Sequence, residues 1–70
     1  MGFYSSETVA TRHVDGYDVD IVGYYDHNTP ENEHESYDLF IENTCINEGE
    51  SLYEFPDDST IKLFMDKWLS

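Results

Sequence analysis

Two segments of this chain alternate apolar and polar side chains in the same phase. Tyr17-Asp18-Val19-Asp20-Ile21 places Tyr17, Val19 and Ile21 at every second position, and Tyr37-Asp38-Leu39-Phe40-Ile41 repeats the pattern twenty residues on. A period of two marks a half-buried β-strand, so each segment is expected to bury one face and hold carboxylates on the other. Residues 7–14, rich in β-branched side chains, run into Asp15-Gly16. Asp-Gly between two strand-like runs favours a type I′ turn, which predicts an antiparallel hairpin. Gly23 is expected to mark a bulge or the strand's end before Tyr24 and Tyr25. The third strand is expected over residues 36–44, with Tyr37, Leu39 and Ile41 inward and Asp38, Phe40 and Glu42 outward. Its neighbours read as loops: residues 26–35 carry no apolar side chain and include Pro30, and residues 43–51 form an irregular stretch closed by Gly49. Residues 52–55 suggest a short edge strand.

After Pro56 the period changes. Ile61, Phe64, Met65 and Trp68 fall at i, i+3, i+4 and i+7, one apolar stripe of a helix, and Asp57, Asp58 or Ser59 can cap its start. A helix of about twelve residues is marginal alone and must be held by packing. The surface available is the inward face of Tyr17, Val19, Ile21, Tyr37, Leu39 and Ile41. The expected fold is α+β: an antiparallel sheet of three or four strands with one C-terminal helix across one face.

Length changes this picture little. Seventy residues predict one small domain, residues 1–70, near the lower limit for a single core, and eleven aromatic side chains supply the bulk it needs. Charge changes it a great deal. Sixteen Asp and Glu against three Lys and Arg give a formal charge of −13, and residues 13–61 hold fourteen of the acids with no Lys or Arg. Most of these carboxylates have no partner within one subunit, and their mutual repulsion opposes the compact state. Disorder also suits such a charge, but the aromatic content and the alternating segments argue against it. Adaptation to high salt is an alternative origin of the acidity.

The candidate chemistry is sparse. Cys45 is the only cysteine, so no intramolecular disulfide is expected, and it has no basic or His neighbour in sequence to activate it. The four glycines form no phosphate loop. No enzyme activity and no cofactor are expected. His13, His27, His34 and Cys45 are available metal ligands, but their spacing matches no familiar site. The Asp-x-Asp run from Asp18 lacks the later ligands of a calcium loop. No metal site is assigned, and incidental divalent binding accompanies one alternative below. Residues 1–6 match the loose pattern for N-myristoylation, read as chance because an anionic membrane would repel this chain. With no apolar run of membrane length and no signal-peptide pattern, a cytoplasmic protein is expected, without membrane or direct nucleic-acid binding.

The acidic face is the remaining signal. Residues i and i+2 of a strand stand roughly 6.6 Å apart on one side, and adjacent strands add roughly 4.8 Å, so Asp18, Asp20, Asp38 and Glu42 can approximate a short phosphate array. Glu31, Glu33 and Glu35 of the following loop can extend it, and Tyr24, Tyr25 and Phe40 can anchor a contact. In its size, its acidity and its lack of basic residues from 13 to 61, the chain resembles the DNA-mimicking anti-restriction and anti-CRISPR proteins of bacteriophages. That resemblance implies a non-enzymatic inhibitor in the host cytoplasm that occupies a basic nucleic-acid-binding protein or complex. The alternatives are a generic acidic adaptor for a basic partner and a solvated acidic domain with incidental metal binding. A homodimer is compatible with the small core.

Overall fold

The computed structural model describes residues 4–27 and 34–70. Four strands, β1 (Tyr4–Val14), β2 (Tyr17–Asp26), β3 (Ser36–Ile41) and β4 (Thr44–Cys45), form one sheet in the order β1-β2-β3-β4, and a single helix, α1 (Asp58–Leu69), follows. All three pairings are antiparallel. This is the expected α+β architecture. The β1–β2 hairpin turns at Asp15 (φ 49°) and Gly16 (φ 84°), the pair of positive φ angles that a type I′ turn demands.

The core lies between the sheet and α1. Val19, Ile21, Leu39 and Ile41 from the strands meet Ile61, Phe64 and Met65 from the helix, with Ile46 closing one side. Tyr17, Tyr37 and Leu52 pack at its margin. Each fully buried aliphatic side chain contributes roughly 1.5–3 kcal/mol, and that burial holds a helix too short to persist alone. The stripe ends as the period predicts: Trp68 stands at the border, its ring edge-on to Tyr17 at 5.9 Å. At the start of α1, Asp57 accepts from the Thr60 amide at 2.8 Å and from the Ser59 hydroxyl at 2.9 Å. The Thr60 amide bond, supported by the Thr60 and Ser59 side chains, holds the Asp57 carboxyl below its ordinary range. The cap therefore stabilises the fold above the usual carboxylate pKa and is lost as pH falls through the depressed value.

Several boundaries differ from the pattern reading. β3 ends at Ile41 and not at Thr44, because Glu42 (φ 49°) and Asn43 (φ 65°) form a second tight turn and Thr44-Cys45 returns as β4 inside the stretch read as irregular. Residues 52–55 form no strand; Leu52 makes one isolated bridge to Tyr37. Gly23 is neither bulge nor strand end. It pairs with Glu7 on one side and Tyr37 on the other. Its missing side chain makes room for His34, whose ring would collide with a Cβ at this position. His34 is accordingly half-buried against the sheet, so the loop read as solvated returns to the core at its end.

The bulge lies instead in β1. The register runs Thr8↔Val22 and then Ala10↔Ile21, leaving Val9 as the extra residue. That extra residue reverses the alternation midway. Glu7, Ala10, Arg12 and Val14 stand opposite inward residues of β2, whereas Thr8, Thr11 and His13 stand opposite outward ones. Residues 7–14 therefore follow no single period of two.

Candidate functional site

The sheet has one face under α1 and one face without a covering element among the described residues. On the second face, β2 contributes Asp18, Asp20, Val22 and Tyr24, β3 contributes Ser36, Asp38 and Phe40, and β1 contributes Ser6, Thr8, Thr11 and His13. Register puts Asp20 beside Phe40 and Val22 beside Asp38. Arg12 lies on the opposite side of the sheet, and Lys62 and Lys67 are on the helix, so this face carries acids and no Lys or Arg.

The acids of the face are not equivalent. Asp18 is largely exposed and pairs with His13 across the hairpin. Asp20 accepts from the Thr11 hydroxyl at 2.8 Å. These exposed contacts contribute little and leave both carboxylates facing solvent. Asp38 differs, because both its oxygens are engaged: Oδ2 accepts from the Tyr24 hydroxyl at 2.7 Å and Oδ1 from the Asn47 side-chain amide at 3.2 Å. Asp38 is therefore a structural carboxylate as much as a displayed one. Glu42, exposed in the turn after β3, joins Asp18 and Asp20 around an open depression of about 410 Å³ at the hairpin end of the sheet. Beside it, Phe40, Val22 and Tyr24 floor a second depression of about 280 Å³. Phe40 is half-buried there, so the one aromatic that broke the polar pattern of β3 has partial cover from its neighbours.

The remaining residues expected to bind a partner do not join this face. Tyr25 follows Tyr24 on a strand and so points the other way, where its ring meets His27 at 5.5 Å and His34 at 5.7 Å. That contact continues through His34–Tyr37 (5.8 Å) and Tyr37–Phe55 (5.6 Å) to the Arg12 guanidinium, 5.8 Å from the Phe55 ring. This aromatic row covers the sheet beyond the end of α1. Glu35 is exposed next to His34, its amide bonded to the Tyr24 carbonyl at 2.7 Å. Glu31 and Glu33 lie outside the described residues.

The sequence pattern offered no signal for Asn47, which the fold makes central. It is 2 % exposed. Its Oδ1 accepts from the Leu39 amide at 2.9 Å and the Cys45 thiol at 3.2 Å. Its Nδ2 reaches Asp38 Oδ1, the Glu50 carbonyl at 3.0 Å and the Tyr37 carbonyl at 3.5 Å. One side chain thus closes the free edge of β3, ties down the turn after β4 and orients Asp38 on the acidic face.

In comparisons with protein-family models, curated proteins and solved structures, no match to this chain is found. Function must therefore be read from the chemistry of the face. Among the described residues, no group of three or more His, Cys, Asp or Glu stands together as a metal site, and no helix is long and apolar enough to cross a membrane.

The Tyr24–Asp38 pair has a titration signature. The hydrogen bond to Asp38, with burial and the Asp38 charge adding to it, pushes the Tyr24 pKa up to about 12. A phenol held neutral in the fold stabilises it fully below the ordinary tyrosine pKa near 10, and that contribution disappears as pH rises from about 10 through 12. Ultraviolet titration is expected to show the Tyr24 phenol ionising at about pH 12, and Asp38→Asn is expected to lower that value toward the ordinary tyrosine range.

Proposed function

We propose that this protein is a non-enzymatic inhibitor or decoy that presents its uncovered sheet face, acidic and phosphate-like, to a basic nucleic-acid-binding protein or complex. The observation that carries the reading is the absence of Lys and Arg from that face. Asp18, Asp20 and Asp38 share the uncovered face with no Lys or Arg, whereas Arg12, Lys62 and Lys67 stand on the helix side. Acids also stand on the helix side, among them Glu7, Asp57, Asp58 and Asp66, but only the uncovered face lacks a Lys or Arg to offset them. Carboxylates two apart on β2, roughly 6.6 Å from one another, with Glu42 at the rim, offer a short row of anions to Lys and Arg side chains that ordinarily hold phosphates. Tyr24 and Phe40 provide the apolar floor against which a contact can exclude water.

The mechanism is long-range steering toward a basic groove followed by occupation of it, without covalent chemistry. Exposed ion pairs contribute only about 0.2–1 kcal/mol each, so affinity must accumulate over many charges together with aromatic burial. The test is competition. With a nucleic-acid-binding protein captured from a host lysate, duplex DNA is expected to displace this chain, and affinity is expected to fall steeply between about 50 and 200 mM salt, as for phosphate contacts. Binding unchanged under saturating DNA overturns the decoy reading and favours the acidic adaptor.

A further inference from the structure

The two edges of the sheet are built differently. At the β3 edge every position is closed: Phe40 and Ile41 pair with β4, the Ile46 amide bonds the Leu39 carbonyl at 2.9 Å, Asn47 takes the Leu39 amide, and the Tyr37 amide bonds the Leu52 carbonyl at 2.8 Å. At the other edge, β1 presents eleven residues that pair only with β2 among the described residues. An edge of that length is a template for another strand, and natural sheets blunt such edges with lysine, proline, a bulge, inward-pointing charges or a cover, of which β1 has the bulge at Val9 and the inward Glu7 and Arg12. Segment 4–14 contains neither lysine nor proline.

Its charge points to the occupant. In a chain of net charge −13, segment 4–14 carries one acid, Glu7, and one Arg, Arg12, and so is neutral apart from His13. The only arginine of the protein makes no ion pair among the described residues and rests against the Phe55 ring. Glu7, by contrast, bonds His34 Nε2 through Oε2 at 2.8 Å and is half exposed. In a regular strand, residues five apart fall on opposite faces. The bulge at Val9 removes that difference, placing Glu7 and Arg12 on the same face of β1.

We propose that β1 pairs edge to edge with β1 of a second copy, antiparallel about a two-fold axis at the bulge. Glu7 of each protomer then stands opposite Arg12 of its partner. The same register places Thr8 opposite Thr11 and Ser6 opposite His13, each pair on one face of the sheet. The axis is perpendicular to the sheet, so the result is a continuous eight-stranded sheet with both acidic faces on one side and both helices on the other. Of the three long strands, β1 alone is free of net negative charge, and screening of the remaining repulsion makes the dimer tighter in moderate salt.

Sedimentation equilibrium tests this with the full chain. The wild-type protein is expected at twice the chain mass at micromolar concentrations, and more completely at about 150 mM salt than at about 10 mM. Glu7→Arg and Arg12→Glu each place like charges opposite one another and are expected to weaken association by about tenfold or more. Mixing the two single variants restores both opposite-charge pairs across the interface and is expected to give a heterodimer close to wild-type affinity. Circular dichroism of each variant alone reports its folding. Glu7→Arg also breaks the bond to His34 within its own protomer, which mixing does not restore, so recovery on mixing reports the interface. A wild-type monomer at all concentrations, or folded variants that stay apart when mixed, overturns the proposal and leaves the edge to a strand from another protein.

Discussion

Replacing Asn47 with alanine is expected to lower the unfolding free energy by about 3 kcal/mol, because buried polar groups left without partners cost about 1–3 kcal/mol each. The Leu39 amide loses its acceptor at a fully buried residue, and the Glu50 carbonyl and Asp38 Oδ1 lose a donor at once. A domain of this length has a total stability of roughly 4–10 kcal/mol on the usual per-residue scale, so the loss is a large fraction of it. Urea denaturation followed by circular dichroism measures it. Asn47→Asp sharpens the test: it keeps an acceptor for the Leu39 amide but sets a second carboxylate against Asp38. That variant is expected to be strongly destabilised at neutral pH and to recover partly as pH falls through the carboxylate range. A loss below about 1 kcal/mol for the alanine variant would mean that water replaces the amide and that the edge of β3 does not depend on it.

The second large effect concerns binding. Asp18→Lys with Asp20→Lys changes the charge of the uncovered face by four units while touching no core position. The interactions forfeited are the exposed pair with His13 and the exposed Thr11 hydrogen bond, each contributing little, and the relief of repulsion in a chain of −13 acts in the other direction. Stability is therefore expected to stay within about 0.5 kcal/mol of wild type. Affinity for a basic partner is expected to drop on the order of 100-fold, since each reversed charge replaces an attraction by a repulsion. Reversal at Asp38 is a poorer probe, because Tyr24 and Asn47 both depend on that carboxylate and folding would change with it. Unaltered binding by the double lysine variant would move the active surface away from the sheet face, first of all to the acids of residues 26–35.

These two expectations separate what a carboxylate displays from what it holds together, a distinction that composition alone hides. Asp18, Asp20 and Asp38 look alike in the sequence, each an acid between apolar residues of a strand. Only Asp38 lies within reach of a buried amide, because β4 and the turn behind it fold back against β3. Pleating separates Tyr24 from Tyr25 in the same way: adjacent in the chain, one donates to an acid on the open face and the other joins the aromatic row beyond the helix.

Local periodicity determined most of the architecture. A period of two over residues 17–21 and 37–41, an Asp-Gly turn and a helical stripe after Pro56 each reflect interactions between near neighbours or the demand of one buried face, and these are legible in any single chain. The sign of the charge and its absence of basic counterparts across residues 13–61 were equally plain. The tertiary structure alone decided where strands end, which acids are engaged and which edge stays open among the described residues. Those outcomes depend on groups brought together from distant positions: His34 over Gly23, Asn47 against Leu39, Leu52 beside Tyr37. The bulge at Val9 belongs with them, since an extra residue in one strand has meaning only against the partner strand that counts it.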